Sequence, residues 1–325
     1  MEFHLNYNPA PSPVKISHKD SILTIGSCFA YELSTLLSEA KFNYGCNPNG
    51  ILFNPSSISK ALRSYIKKTI ITSNNLIYHN GIYCSLDHQY HELDEKDVLA
   101  NSINDNTENY HDYLKNIKFL IITFGSAFVY RHIKTNQIVA NCHKLPQQEF
   151  KKELLSVEDI VTDYKLLFEE LKKFNPNLNI ILTVSPVKYL RDGIIENNLS
   201  KAILIQAVHQ LTSSNSELPT TNYFPAYELV TDDLRDYRFY KEDMAHPNNQ
   251  AIDYVWKKFS DVYFSQETKN LNEKIKEINQ AIRHRPINEN SPQHKEFRAA
   301  AYKKCTDLEN NYPFLNFFHE KRFFS

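Results

Sequence analysis

Glycine is scarce in this sequence, with only 6 glycines among 325 residues. Because glycine is favoured where a side chain does not fit, this scarcity makes each glycine informative. Gly26, Gly45, Gly50 and Gly125 all lie at or soon after an apolar run that predicts a strand. Open α/β sheets bind their ligands at that end of the strands. These glycines therefore indicate where to look for a site.

The sequence also lacks an apolar run of membrane-spanning length. Its first nine residues have neither the basic start nor the apolar stretch of a secretory signal. The odd number of scattered cysteines favours free thiols in a reducing compartment over a disulfide framework. They are Cys28, Cys46, Cys84, Cys142 and Cys305. We therefore expect a cytoplasmic protein that does not enter a membrane.

The chain also has no large excess of positive or negative charge, since it contains 37 basic and 38 acidic residues and its net charge is −1. No broad basic field is available to hold a phosphate backbone, so a nucleic acid is not an expected partner. Hydrophobic residues are abundant, in contrast: they make up 42% of the chain and include 20 Phe and 20 Tyr. That is enough to build a packed core.

Apolar runs and helical stripes alternate along the chain. The predicted strands are residues 21–25, 42–44, 119–124, 180–184 and 221–224. The predicted helices are residues 29–40, 57–67, 157–171, 200–211 and 247–262. Residues 75–115 give no clear pattern, and residues 131–150 predict an excursion such as a hairpin. This alternation predicts an α/β protein, a three-layer α/β/α sandwich around a mostly parallel sheet.

The pattern changes near residue 265. Two helical stripes follow, one from Leu271 to Ile282 and one from Phe297 to Leu308, with Pro286 to Pro292 between them. We predict a catalytic domain over residues 1–265 and a C-terminal helical hairpin over residues 266–325 that packs on it.

Ser27 lies where a predicted strand turns into a helix. A helix N-terminus offers free N–H groups and a partial positive charge, which stabilise the oxyanion formed when a serine attacks a carbonyl. The alternative is that Ser27 is only an N-cap, a position that serine favours. Cys28 is a second candidate nucleophile, because a helix N-terminus also lowers a thiol pKa; the competing interpretation is a small buried residue.

Asp243 precedes His246 by three residues, in a turn ahead of a helix. A serine hydroxyl needs a base, and the base needs a group that orients it. This spacing lets the carboxylate hold one ring nitrogen while the other faces the serine. The spacing alone also fits a chance surface pair; its combination with Ser27 favours a catalytic triad.

Other polar residues are weaker candidates. Asn141 to Lys144 could line a pocket or form an exposed turn. Asp87, His88 and His91 do not have the spacing of a zinc site, so we predict no metal. No phosphate loop or dinucleotide fingerprint is present, and we predict no cofactor.

The pentapeptide Gly26-Ser27-Cys28-Phe29-Ala30 resembles the motif that names the GSCFA-domain family, which is grouped with the SGNH (GDSL-like) hydrolases. Further stretches resemble other family blocks over roughly residues 20–265. They are residues 47–55, 124–130, 141–146, 185–187 with 192–193, 232–240, and the Asp-x-x-His block at 243–247.

The resemblance implies a flavodoxin-like SGNH hydrolase fold in which Ser27 is the nucleophile, His246 the base and Asp243 its partner. SGNH enzymes build the oxyanion hole from the serine N–H, a glycine N–H and an asparagine side chain. Gly50 is the expected glycine, with Gly45 second. The chain departs from the usual Gly-x-Asn block, because it has Gly125-Ser126-Ala127. Either Asn141 or Asn54 takes the place of the missing asparagine, or the hole is weaker.

We therefore expect a hydrolase that cleaves a small O-acyl ester, such as an acylated sugar or glycan, through an acyl-serine intermediate. The expected oxyanion and substrate-binding residues are Cys28, Gly50, Asn54, Gly125, Asn141 and His143. Two alternatives are an acyltransferase with the same triad and a catalytically silent module that binds glycans or a partner.

Overall fold

A computed structural model describes residues 5–89, 91–92, 95–213 and 220–325 of the chain. Its strands are β1 (Ser21–Gly26), β2 (Asn43–Cys46), β3 (Ile77–His79), β4 (Ile82–Cys84), β5 (His91–Glu92), β6 (Phe119–Phe124), β7 (Phe128–His132), β8 (Gln137–Val139), β9 (Phe150–Leu154), β10 (Asn179–Val184) and β11 (Thr220–Tyr223). Its helices are α1 (Cys28–Glu39), α2 (Pro55–Lys67), α3 (Lys96–Asn116), α4 (Val157–Phe174), α5 (Ile194–Thr212), α6 (Ala226–Glu228), α7 (Asn249–Tyr263), α8 (Gln266–Arg283), α9 (Pro292–Asn311) and α10 (Phe318–Phe324).

The central sheet has five strands in the order β11-β10-β6-β1-β2, and all of its neighbouring strands are parallel. Strand β6 is buried along its whole length, because helices cover both faces of the sheet. Each of the five predicted strands is present, and the parallel α/β architecture is confirmed. The carboxyl ends of β1, β6 and β10 meet at one edge of the sheet.

Two hydrophobic cores lie on opposite faces of this sheet. One contains Leu62 of α2, Leu167 of α4 and Leu204 of α5. The other contains Leu33 of α1 and Phe259 of α7. The chain thus forms three layers, helix on sheet on helix.

In two regions, the structure contains more strands and helices than the sequence pattern predicts. The polar stretch after α2 contains the small antiparallel sheet of β3, β4 and β5, followed by the long helix α3. The predicted hairpin between residues 131 and 150 exists as β7 and β8, and β9 adds a third antiparallel strand to it. Helix α3 buries only a thin stripe, including Leu99 and Leu114, which explains why its period was hidden.

Helices α8, α9 and α10 share a separate core that includes Ile275, Cys305 and Phe317. The two predicted C-terminal helices are present, and the short α10 is an addition. Polar contacts attach this module to α1 and the turn after it: Arg283 pairs with Glu39 at 2.6 Å, and Lys41 pairs with Glu320 at 2.5 Å. In the described part of the chain, no helix has both the length and the apolarity that a membrane span requires.

Candidate functional site

Ser27 connects β1 to α1 at the edge of the sheet where the strands end. Gly26 has a φ of +137°, and a Cβ at this position would lie 2.1 Å from the Thr123 carbonyl oxygen, so only glycine fits. Ser27 occupies the N-cap position of α1, yet its side chain makes no capping hydrogen bond. Its hydroxyl is buried and has no hydrogen-bond partner among the described residues. The capping alternative therefore does not explain this serine.

Two loops pack against Ser27. A Cβ on Gly125 would lie 3.0 Å from the Ser27 Cβ, so the loop after β6 runs directly beside the serine. The amides of Gly125 and Ser126 both donate to the Phe53 carbonyl at 2.8 Å, and the Leu52 amide donates to the Gly26 carbonyl at 2.9 Å. The segment before α2 and the loop after β6 therefore enclose the serine.

Asp243 and His246 form a tight pair in the turn before α7. Asp243 Oδ2 lies 2.6 Å from His246 Nδ1, and Asp243 Oδ1 accepts the amides of Ala245 and His246, both at 2.9 Å. These backbone donors and the imidazole lower the pKa of Asp243 to about 2. The carboxylate is therefore ionised at neutral pH, and it orients the ring with Nε2 pointing away from it.

The turn that carries His246 is attached to the same end of the sheet as Ser27. Lys241 pairs with Glu32 of α1 at 3.3 Å. The Lys188 amide, just beyond β10, donates to the Ala245 carbonyl at 3.0 Å. The structure brings the Asp243–His246 pair together. It contains no hydrogen bond from the Ser27 hydroxyl to the His246 ring.

The expected oxyanion donors are bonded within the protein. The Ser27 amide donates to the Thr123 carbonyl at 3.1 Å, and the Gly50 amide donates to the Asn47 carbonyl at 2.8 Å. Gly125 donates to Phe53, as described above. The Asn54 side chain caps α2 by accepting the Ser57 amide at 2.8 Å. These contacts leave the first-turn amides of α1, at Cys28 and its neighbour Phe29, as donors without an intrahelical acceptor.

The loop that contains Asn141 and His143 binds a different segment. Asn141 Oδ1 accepts the His143 amide at 2.9 Å, and His143 Nε2 lies 2.8 Å from the Ser85 carbonyl and 2.9 Å from the His88 carbonyl. These hydrogen bonds run to the segment before β5 and not to Ser27. Burial raises the pKa of the neighbouring Cys142 thiol to about 11, so that thiol is protonated at neutral pH.

Cys28 is the less suitable nucleophile at the β1–α1 turn. Burial is the largest cause that raises the pKa of its thiol, and the nearby Glu32 carboxylate raises it further. A raised pKa keeps the thiol protonated, whereas a nucleophilic cysteine requires the thiolate.

Sequence reasoning missed Asn47, which directly follows β2. Its Oδ1 accepts the Gly26 amide at 2.8 Å, which fixes the orientation of the side-chain amide. Its Nδ2 is buried and has no partner among the described residues. The sequence shows only that Asn47 directly follows a strand; its role comes from the contact with Gly26, which is distant in sequence.

No group of three or more His, Cys, Asp or Glu side chains within the described ranges is arranged to hold a metal ion. The GSCFA family model matches residues 21–259, which is most of the chain. The chain belongs to the GSCFA family. A second model, the GSCFA domain protein C-terminal domain, matches residues 275–325.

Two solved structures are similar to this GSCFA protein. One is a carbohydrate esterase family 3 protein from Talaromyces cellulolyticus, with 8% identity, a TM-score of 0.35, and coverage of 79% of this chain and 99% of that chain. The other is an acetyl esterase mutant with acetate ion, with 10% identity, a TM-score of 0.35, and coverage of 80% and 99%. No curated protein matches the chain.

Proposed function

We propose that this GSCFA protein is a serine hydrolase of the SGNH kind that cleaves an O-acyl ester. The observation that carries the proposal is the Asp243–His246 pair, whose 2.6 Å contact orients an imidazole. The turn that contains this pair is bonded to α1, which Ser27 caps, and to the segment after β10. A histidine oriented by a carboxylate is the usual base for a serine nucleophile.

In the proposed reaction, His246 Nε2 takes the Ser27 proton while Oγ bonds to the ester carbonyl carbon. The tetrahedral intermediate collapses, and the departing alcohol takes that proton from His246. A water molecule then attacks the acyl-serine with the same proton transfers, which releases the acid and restores Ser27. Asp243 accepts the Nδ1–H bond throughout and stabilises the imidazolium.

The donors for the oxyanion come from two sources in this proposal. The first is the N-terminus of α1, with the amides of Cys28 and Phe29. The second is Asn47 Nδ2, a buried donor without a partner beside Gly26. Gly50 would donate only after its amide leaves the Asn47 carbonyl, so it supports the loop instead of the oxyanion in this conformation.

As the substrate, we propose a small O-acylated molecule, such as an acylated sugar or glycan, in line with the hydrolases that the family motif resembles. No cofactor enters the proposed steps. A cytoplasmic location and the lack of a nucleic-acid partner stay predictions.

Acid release from a panel of O-acetylated mono- and oligosaccharides tests the proposal. We expect the wild-type protein to release acetate, and Ser27→Ala and His246→Ala to lose this release while they keep the wild-type melting temperature. Formation of a new acyl ester in the presence of an added alcohol would identify the acyltransferase alternative. Release that survives both substitutions would contradict the proposal.

One observation favours a second candidate function, a catalytically silent binding module. Ser27 is only 2% exposed, and the Ser27 and Gly125 amides are bonded inside the protein. A substrate reaches Ser27 only if a covering segment moves. If acylated glycans bind at millimolar or lower concentration without acid release, the module function holds instead of the hydrolase.

A further inference from the structure

Lys201 is an unusual residue of the α5 helix because it is 1% exposed and has no carboxylate partner among the described residues. Lysines are rarely buried without a partner of opposite charge. Burial lowers the pKa of Lys201 to about 7. Burial destabilises the charged form of this amine, so packing in the core alone does not explain a lysine at this position.

The contacts of Lys201 supply that reason. Its Nζ donates to the Gly125 carbonyl at 2.7 Å and to the Ser185 carbonyl at 2.7 Å. Gly125 follows β6, and Ser185 follows β10, at the edge of the sheet where Ser27 lies. One amine thus joins two neighbouring loops at the proposed active site.

Each of these loops leads to one member of the proposed triad. The Gly125 loop packs on the Ser27 side chain, where an added Cβ would lie 3.0 Å from the serine Cβ. The Ser185 loop continues to Lys188, whose amide binds the Ala245 carbonyl at 3.0 Å, one residue before the catalytic histidine.

The preceding helical residue strengthens the attachment on the serine side. Ser200 Oγ accepts the Ala127 amide at 2.7 Å and lies 3.3 Å from Ser126 Oγ. The first turns of α5 therefore hold the Gly125 loop at two points, and Lys201 extends that hold to Ser185. Farther along the loop that follows β10, Asn197 Oδ1 of α5 accepts the Tyr189 amide at 2.8 Å.

We propose that Lys201 is a positioning residue that fixes the serine side of the site relative to the histidine side. Its effect on turnover rests on the proposed hydrolase function. Its effect on the two loops does not.

The test compares Lys201→Met with Lys258→Met in the full-length protein. Lys258 is a matched control, because it is also buried and its Nζ also binds backbone and amide oxygens, at Tyr7 (2.7 Å) and Asn8 (2.6 Å), but in the N-terminal arm. The first readout is amide hydrogen exchange by mass spectrometry. The second is kcat and KM for the best ester of the panel.

We expect Lys201→Met to speed amide exchange about tenfold in residues 125–127 and in Ser185, Val187 and Lys188. We also expect it to lower kcat by about tenfold or more while KM stays within about twofold, because misplacement of catalytic groups affects the reacting geometry more than binding. Lys258→Met should speed exchange only in the arm and leave kcat unchanged.

Unchanged exchange in both loops would overturn the proposal, and so would unchanged kcat in an active enzyme. If Lys201→Met does not fold, Lys201→Gln is measured in its place, since its amide can reach one carbonyl. Failure of both variants to fold would assign Lys201 to stability and overturn positioning. If the wild type hydrolyses no ester, the proposed function fails, and exchange still decides whether Lys201 holds the loops.

Discussion

At the scale of single residues, the Asp243 carboxylate carries the clearest chemistry. It accepts hydrogen bonds from two backbone amides and from the His246 ring at once, and these bonds lower its pKa to about 2. Its folded pKa lies below the ordinary value of 3.8, so its stabilising effect is present above that pH and is lost as the pH falls towards 2. The pair is therefore intact across the neutral range.

Asp243→Asn tests whether this carboxylate orients the base. The amide can still accept one backbone N–H, but it no longer carries the charge that stabilises the imidazolium. We expect kcat/KM to fall about ten-thousandfold. The melting temperature should drop only slightly, because the Asp243 side chain is 49% exposed and solvent screens its interactions. Asp236→Asn is the control, because Asp236 also accepts a backbone amide, from Arg238 at 2.8 Å, in the same segment. An equal loss in both variants would show that the segment matters and not the pair.

Because His88 is buried, we predict that the free energy of unfolding depends on pH. This ring is 7% exposed, its Nδ1 lies 2.8 Å from Ser85 Oγ, and burial lowers its pKa from 6.5 to about 4. Between these two values the unfolded chain binds more protons than the folded one, so the free energy of unfolding decreases as the pH falls. The loss attributable to His88 is on the order of 3 kcal/mol from pH 7 to below pH 4.

Urea unfolding at several pH values between 7 and 4 checks this prediction. We expect His88→Gln to flatten the pH dependence, and substitution of the exposed His209 by Gln to leave it unchanged. His18 is also buried, and burial lowers its pKa, so part of the slope should remain in His88→Gln. An identical slope in His88→Gln and the wild type would refute the assignment.

Single residues also show where prediction from sequence ends. The Asp243–His246 contact could be predicted, because the two residues are only three positions apart in one turn. Asn47 and Lys201 could not be found this way. Their importance comes from burial and from partners that are distant in sequence, such as Gly26 for Asn47 and Gly125 for Lys201.

At the scale of elements, the β1–α1 turn determines where Ser27 sits. The sheet brings β1 and β6 together so closely that Gly26 faces the Thr123 carbonyl. The apolar run and the helical stripe predicted this turn directly. Helix α3 was not predicted, because its buried face is narrow and most of its residues are polar.

Gly26→Ala measures the constraint on this turn. The added Cβ would lie 2.1 Å from a backbone oxygen, and the residue would keep a φ of +137°. We expect a loss of more than about 3 kcal/mol in the free energy of unfolding, or no folded protein. Gly81→Ala is the control: its φ is +83°, but the new Cβ would meet open space, so a loss of about 1 kcal/mol is expected. Equal melting temperatures for the two variants would contradict the described turn.

At the scale of the whole molecule, the chain has a sheet domain and a C-terminal helical module. The module has its own core, and several of its contacts with the sheet domain are polar, such as Asn279 to the Glu39 carbonyl at 2.8 Å. The parallel order of the central sheet could be predicted from the alternation of strands and helices. The β7–β8 hairpin was also predicted, but β9, the third strand of that small sheet, was not, since its short and mostly polar sequence gives little periodicity.

Removal of residues 266–325 tests the proposed boundary. We expect residues 1–265 to stay folded with a lowered melting temperature, because the removed core is separate from both cores of the sheet domain. A cut after residue 291 is the control, since it leaves α8 with Leu271, Ile275 and Ile278 uncovered, and we expect that fragment to aggregate. Unfolding of the 1–265 fragment would make the two parts one cooperative unit.

In the proposed function, Ser27 is the nucleophile and His246 activates it. The most direct measurement is intact and peptide mass spectrometry after reaction with a fluorophosphonate, comparing the wild type with His246→Ala. We expect one adduct on Ser27 in the wild type, formed much more slowly when His246 is replaced. An adduct on another residue, or equal rates of modification in the two proteins, would contradict it.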